Sequence, residues 1–206
     1  MKKIIYILMS LSLLLCGCSS SSTTTESTTT SKFKDDYSEF VVTHTGTIEI
    51  QDYGTLEFEL YGEEAPLTVQ RFVEIVEDGG YYNSTFHRIV KGFMMQGGEV
   101  TINKTYDEIT GEFTENGISN YIKHKNGTMS FCRTGAGYNT GTEQFFICCD
   151  ENEYLDGNYA AFGYITNGVD IVDDICETLG KPSDDETGEV DEDLQPVITK
   201  ITVEAI

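Results

Sequence analysis

Short alternating apolar segments dominate the chain. Ile48 and Ile50 alternate within 47–51, and Leu56, Phe58 and Leu60 within 55–61, so both read as strands with period two, joined by a turn at Asp52-Tyr53-Gly54. Residues 85–90 and 93–96 predict a second pair turned at Lys91-Gly92, with Phe86, Arg88 and Val90 on one face and His87 and Ile89 on the other. Gly127 to Cys132 alternates Met129 and Phe131 against Thr128 and Ser130. Residues 143–148, 159–165 and 196–203 complete about eight strands. Two helices are expected. One begins at Pro66, carries Val69, Phe72, Val73 and Val76 at i, i+3, i+4, i+7, and stops at Gly79-Gly80. The other spans 169–176, with Val169, Val172 and Ile175 near one face. The pattern predicts a mainly β fold, a closed eight-stranded antiparallel β-barrel capped by two α-helices. Residues 97–121 read as loop, and the glycines at 135, 137 and 141 as a second loop without the Lys-Ser/Thr ending of a phosphate-binding loop.

The start of the chain has another character. Lys2 and Lys3 precede an apolar run from Ile4 to Leu15, the pattern of a secretory signal, too short to span a bilayer. It ends in Leu15-Cys16-Gly17-Cys18, which resembles the bacterial lipobox and implies cleavage after residue 17 and lipid on Cys18. Residues 18–36, nearly all Ser and Thr at first, read as a flexible tether, and residues 37–206 as the folded domain. The expected location is extracytoplasmic, anchored to the cell membrane through the N-terminal lipid.

Charge narrows the classes of partner. The chain holds 13 Lys and Arg against 35 Asp and Glu, a formal net charge of −22. Such a surface repels nucleic acid and favours cationic partners or Ca²⁺. The acids crowd between Lys181 and Asp193, without the spacing of an EF-hand, and read as a solvated hairpin. The four cysteines beyond Cys18, at 132, 148, 149 and 176, form no C-x-x-C pair, so no metal site is expected. Cys149 with Cys176 is a possible bridge, whereas Cys132 and Cys148 read as small core residues. His87, opposite Arg88, reads as a structural hydrogen-bonder.

Arg88 set among bulky apolar residues suits an apolar ligand with one carbonyl to grip. Phe86-His87-Arg88 followed by Phe93-Met94-x-Gln96-Gly97-Gly98 resembles the signature of the cyclophilin-type peptidyl-prolyl isomerases. Gln144-Phe145-Phe146-Ile147, Leu155-Asp156-Gly157 and Glu64-Ala65-Pro66-x-Thr68 with Phe72 are similar to further motifs of that family, so the likeness runs over about 46–206. The resemblance implies a monomeric, cofactor-free isomerase of X–Pro bonds in exported proteins, with proline-containing polypeptides as partners. It implies Arg88 as the catalytic donor, Phe93, Met94, Phe146 and Leu155 as the proline socket, and Gln96 as the partner that orients Arg88 and binds the substrate backbone. Gln144 joins the substrate-binding set. Cys132 and Arg133 are implied to give backbone contacts to the residue before proline. Tyr159 stands where many members carry His and Tyr154 where many carry Trp, which implies weaker cyclosporin affinity. The alternatives are a module that only holds proline-containing segments, and a Ca²⁺-dependent adhesin working through the acidic hairpin.

Overall fold

The structure, a computed structural model, describes residues 39–184 and 187–206. The signal segment, Cys18 and the Ser/Thr tether lie outside the described residues, as do Asp185 and Glu186. The strands are β1 (His44–Ile50), β2 (Gly54–Leu60), β3 (Arg88–Val90), β4 (Met94–Gly97), β5 (Thr128–Phe131), β6 (Phe145–Cys148), β7 (Ala160–Asn167) and β8 (Ile198–Ala205). The helices are α1 (Pro66–Glu77) and α2 (Val169–Leu179). All strand pairs are antiparallel, in the order β3-β4-β6-β5-β7-β2-β1-β8.

This sheet is an open, curled half-barrel, which corrects the expectation of full closure. β3 and β8 end the ladder. Backbone bonds from Asn83 N–H to Ile198 C=O (2.9 Å), Phe86 N–H to Pro196 C=O (3.0 Å) and Ile198 N–H to Ser84 C=O (2.8 Å) tie the segment before β3 to the start of β8. A continuous ladder cannot form there. Pro196 has no N–H to give, Thr85 meets Val197 only as an isolated bridge, and by Arg88 the neighbouring segment is Glu189 instead. The change of partner, from β8 to residues 188–190, also goes with a change of the expected faces. Phe86 points into the core against Phe145 (ring centroids 5.9 Å apart), while Arg88 and Val90 point out of it.

Phe72 of α1 fills the centre of the curl. Its ring lies 5.3–5.8 Å from those of Phe58, Tyr81, Phe145 and Phe162. The fully packed face of α1 is Thr68, Val69, Phe72 and Ile75, and Val73 and Val76 pack at its margin. α2 buries Val172, Ile175 and Cys176 against the same core. Phe40 and Val42, ahead of β1, cover a smaller cluster of Tyr61, Ile122, Ala161 and Tyr164. β5 is buried on both faces: Thr128 Oγ1 donates to the Lys123 carbonyl (2.8 Å), and Ser130 meets His124 (2.9 Å). Lys123 and His124, in the loop before β5, thus cover the Thr128 and Ser130 face.

The acidic segment is not a free hairpin either. Ile89 N–H donates to Gly188 C=O (2.9 Å) and Val190 N–H to His87 C=O (2.9 Å), so residues 188–190 lie along the outer edge of β3. An end strand exposes unpaired backbone groups, and this segment satisfies them.

Candidate active site

On the outer side of β3, β4 and β6 lies a second apolar cluster: Val90, Met94, Phe146, Cys148 and Leu155 are buried, with Phe93, Cys132 and Tyr159 at its rim. Strand geometry builds it. Met94 pairs with Val90 and with Cys148, and Gln96 pairs with Arg88 and with Phe146, so these side chains emerge on one face. Met95 and Ile147 alternate to the inner core. Leu155 arrives on a 3₁₀ turn, Glu153–Leu155, after β6. Asn152 secures that turn by donating through Nδ2 to the Phe93 carbonyl (2.9 Å) while its backbone C=O accepts from Leu155 N–H (2.9 Å).

Arg88 stands at the mouth of this cluster. Its Nε donates to the Thr187 carbonyl (2.8 Å), and Nη1 lies 3.4 Å from Gln96 Oε1 and 3.7 Å from Met94 Sδ. Its guanidinium carbon is 5.9 Å from the centroid of the Phe93 ring. Gln96 Nε2 in turn donates to Gln144 Oε1 (2.9 Å). Gln96 does reach Arg88, but the shorter hold comes from Thr187, in the segment that sequence reading left to solvent. Nη2 has no partner among the described residues, and no carboxylate of those residues pairs with Arg88.

Tyr159 sets its ring edge-on to Phe146 (5.7 Å, 85°) at the rim of the cluster. Across it lies Arg133, 4.6 Å from the Tyr159 centroid. Cys132 N–H is used by Gln144 C=O (2.9 Å), whereas the backbone N–H and C=O of Arg133 have no partner among the described residues. The strand edge is therefore open to an incoming chain at Arg133 rather than at Cys132. Burial raises the Cys132 thiol well above its usual range, so it is a neutral lining group. Tyr154 is largely exposed, with its ring 5.8 Å from that of Phe93.

Behind Phe146 stands a polar relay that sequence reading missed. The His124 ring stacks on Phe146 (6.0 Å, 16°). Its Nδ1 is 3.0 Å from Asp156 Oδ1 and its Nε2 is 2.9 Å from Ser130 Oγ. An ionised carboxylate only accepts, so Nδ1 carries the proton toward Asp156. Burial pushes the Asp156 carboxyl up, but hydrogen bonds from the His124 ring and backbone N–H, with Lys123, outweigh it and hold the group at about 2. Asp156 and His124 are 32 residues apart, and nothing local in the chain announces their pairing. Val90 and Cys148, also missed by sequence reading, join the apolar cluster through register, because β4 lies between β3 and β6.

Two readings of polar residues change. His87 Nδ1 is buried without a hydrogen-bond partner, so it is not the structural bonder expected from its face. Cys132, Cys148, Cys149 and Cys176 are all free thiols. Cys149 and Cys176 do meet: a hydrogen bond from the Cys176 thiol makes Cys149 more acidic than an ordinary thiol, and the same bond, with burial, makes Cys176 less acidic. Among the described residues no group of three His, Cys, Asp or Glu is placed to hold a metal ion.

An eight-stranded half-barrel with two helices, and an arginine over an apolar slot on its outer face, define the cyclophilin class. Residues 45–203 match the family model described as cyclophilin type peptidyl-prolyl cis-trans isomerase/CLD. A peptidyl-prolyl cis-trans isomerase of Acinetobacter baylyi is 35% identical over 128 residues, which is 60% of this chain and 67% of that one. A cyclophilin type peptidyl-prolyl cis-trans isomerase of Cryptosporidium parvum, crystallised in the presence of the dipeptide Ala-Pro, superposes with a TM-score of 0.59 at 25% identity, covering 79% of this chain and 99% of that one. A cyclophilin from Hirschia baltica shares the fold, with a TM-score of 0.62 at 22% identity over 77% of this chain and 73% of its own. The chain belongs to the cyclophilin-type peptidyl-prolyl cis-trans isomerases. It is an enzyme that interconverts the two isomers of the peptide bond before proline.

Proposed function

We propose that Arg88 supplies the catalysis, and that the enzyme works outside the cytoplasm, held to the membrane by lipid on Cys18, on the folding of exported proteins. Rotation about a peptide bond faces a barrier of ~18–20 kcal/mol because the planar amide is resonance-stabilised. No nucleophile is needed to lower it. The site must bind the twisted amide better than either planar form. At the midpoint of rotation the prolyl nitrogen regains its lone pair and accepts a hydrogen bond. A guanidinium fits that role because it donates without losing its proton.

The supporting observation is the setting of Arg88. It is fixed through Nε and Nη1 beside the Val90–Met94–Phe146–Leu155 cluster, with Nη2 free of partners among the described residues. In the proposed cycle the proline ring occupies that cluster between Phe93 and Tyr159. The chain before it lies along the open backbone of Arg133. The carbonyl oxygen then swings while the ring stays seated. The Ala-Pro dipeptide present with the Cryptosporidium parvum cyclophilin is a ligand of the size this slot would take. Lipobox and signal pattern, at 1–18, support the location.

The test is a protease-coupled or NMR exchange assay of an X–Pro peptide with the soluble domain. Arg88→Ala should lower kcat/KM by roughly 10²–10³, the scale of losing one key electrostatic donor, with an unchanged unfolding midpoint. Equal rates in wild type and variant would refute the role of Arg88. For the location, metabolic labelling with a fatty acid should mark the wild type and not Cys18→Ser.

A further inference from the structure

Arg133 is the second cation of the groove, and its surroundings are those of a binding group. The chain has three arginines. Arg71 pairs with Glu74 (3.3 Å). Neither Arg88 nor Arg133 meets a carboxylate among the described residues, in a chain with 35 Asp and Glu. Arg133 is nonetheless held firmly. Nε donates to the Asn158 carbonyl (3.0 Å), and the guanidinium carbon lies 4.6, 5.5 and 5.3 Å from the ring centroids of Tyr159, Phe113 and Tyr138. Aromatic faces attract a cation without neutralising it. Nη1 reaches only the Thr134 carbonyl, at 3.5 Å, and Nη2 has no partner among the described residues. The outer fork is thus preorganised and unspent, the state in which an arginine loses least entropy on binding a carboxylate.

Its position states which part of the substrate it meets. The Tyr159 ring contacts both Arg133 and the Phe146 ring of the apolar cluster. In the proposed binding mode the residue before the proline lies along the backbone of Arg133, unpaired among the described residues, so its side chain is the one nearest the fork. We infer that Arg133 is a specificity-determining residue that selects substrates carrying a carboxylate side chain just before the proline. This rests on the isomerase reading of the groove. The net negative charge of the chain opposes an anionic peptide at long range, but salt screens that field over ~8–10 Å, and the fork acts at contact distance.

The experiment compares kcat/KM on three peptides, Ala-Glu-Pro-Phe, Ala-Gln-Pro-Phe and Ala-Lys-Pro-Phe, for wild type, Arg133→Gln and Arg133→Lys at low and high salt. Wild type should prefer Glu over Gln about fivefold, equivalent to ~1 kcal/mol, and disfavour Lys. The preference should shrink at high salt. Arg133→Gln should bring the Glu/Gln ratio to about one whatever its absolute rate, and Arg133→Lys should retain part of it. A purely structural cage would lower all three rates together and leave the ratio untouched, which would overturn the inference. So would a wild-type ratio of one, measurable even if the variants fail to fold. Absence of turnover on every peptide would overturn the isomerase reading of the groove and this inference with it. Turnover without a Glu preference would overturn only the inference.

Discussion

Glu112 carries the most testable stability claim in the fold. Helix α1 begins at Ala65-Pro66 with no capping side chain of its own. Pro66 lacks an N–H, so the orphan donors of the first turn are Leu67 and Thr68. Glu112, 2% exposed, accepts both: Leu67 N–H to Oε1 (2.9 Å) and Thr68 N–H to Oε2 (2.8 Å), with Thr68 Oγ1 also on Oε2 (2.8 Å). A buried carboxylate at a helix N-terminus also gains from the helix dipole. Glu112→Ala leaves two backbone donors and one hydroxyl unsatisfied but strands no charge. At ~1–3 kcal/mol per unsatisfied group, with part recovered by local relaxation, the loss should be about 3 kcal/mol. For a domain of this size that lowers the midpoint by roughly 6–12 °C. Glu112→Gln keeps one carbonyl acceptor and should lose about half as much. Urea unfolding of both variants, and a double-mutant cycle with Thr68→Val, separates the hydroxyl from the backbone donors. A loss below ~1 kcal/mol for Glu112→Ala would show that water replaces the cap without penalty, and the reasoning would fail.

Two further outcomes test the site's supports. Asp156 has its carboxyl held at about 2, below the usual 3.8, and its side chain is 18% exposed. A depressed carboxyl stabilises the fold above its unfolded value and loses that contribution as pH falls from about 4 through about 2. Asp156→Asn should therefore destabilise by ~2 kcal/mol at pH 6 and by less than half of that at pH 2, read by urea midpoints; an equal effect at both pH values would remove the charge from the explanation. Gly188 sits at φ +68°, and a Cβ there would lie 2.5 Å from Val90 Cγ2 and 3.5 Å from Arg88 Nε. Gly188→Ala should lower kcat/KM about tenfold, equivalent to ~1.4 kcal/mol, through displaced Arg88. Gly117→Ala has a similar φ of +79° but nothing within 4 Å, and should not change kcat/KM. Equal activity losses in the two variants would mean that backbone strain, not crowding of Arg88, is responsible.

Local pattern reached as far as local causes extend. Period two located β1 and β2 within a few residues because turn and alternation lie in one short stretch. Pro66 and the spacing to Phe72 located α1. Phe93, Met94, Phe146 and Leu155 were reached through the family resemblance rather than through alternation; the register of β4 and β6 puts Met94 and Phe146 on one face, and Leu155 joins them from a separate turn. Failures came where the deciding partner is distant in sequence. Alternation separates Thr128 and Ser130 from Met129 and Phe131 but does not tell that both are buried, satisfied by the Lys123 carbonyl and the His124 ring. The α1 stripe points to Val76, but the side chain at full burial is Ile75, on a face where Thr68 is held inward by Glu112. Phe86 leaves the face of Arg88 because residues 83–86 follow the start of β8 before β3 begins. His124 and Asp156 needed the fold before their contact existed.

The acidic segment joins these observations. β3 is an end strand of three residues, and its outer backbone groups need partners. Residues 187–190 supply them, and in doing so bring the Thr187 carbonyl to Arg88. A neutral acceptor is the suitable choice there. A carboxylate in the same place would bind the guanidinium more strongly, but it would neutralise the charge and occupy the donors that the proposed mechanism assigns to the twisted amide. Arg133 repeats the solution with the Asn158 carbonyl and three aromatic faces. In so acidic a chain, both groove arginines are fixed by groups that leave their charge available. Replacing Thr187 would not test this, because the bond is to its backbone. Placing a carboxylate within reach, as in Gln96→Glu, would: it should depress isomerisation by closing an ion pair across the 3.4 Å now spanned by the Gln96 contact with Arg88.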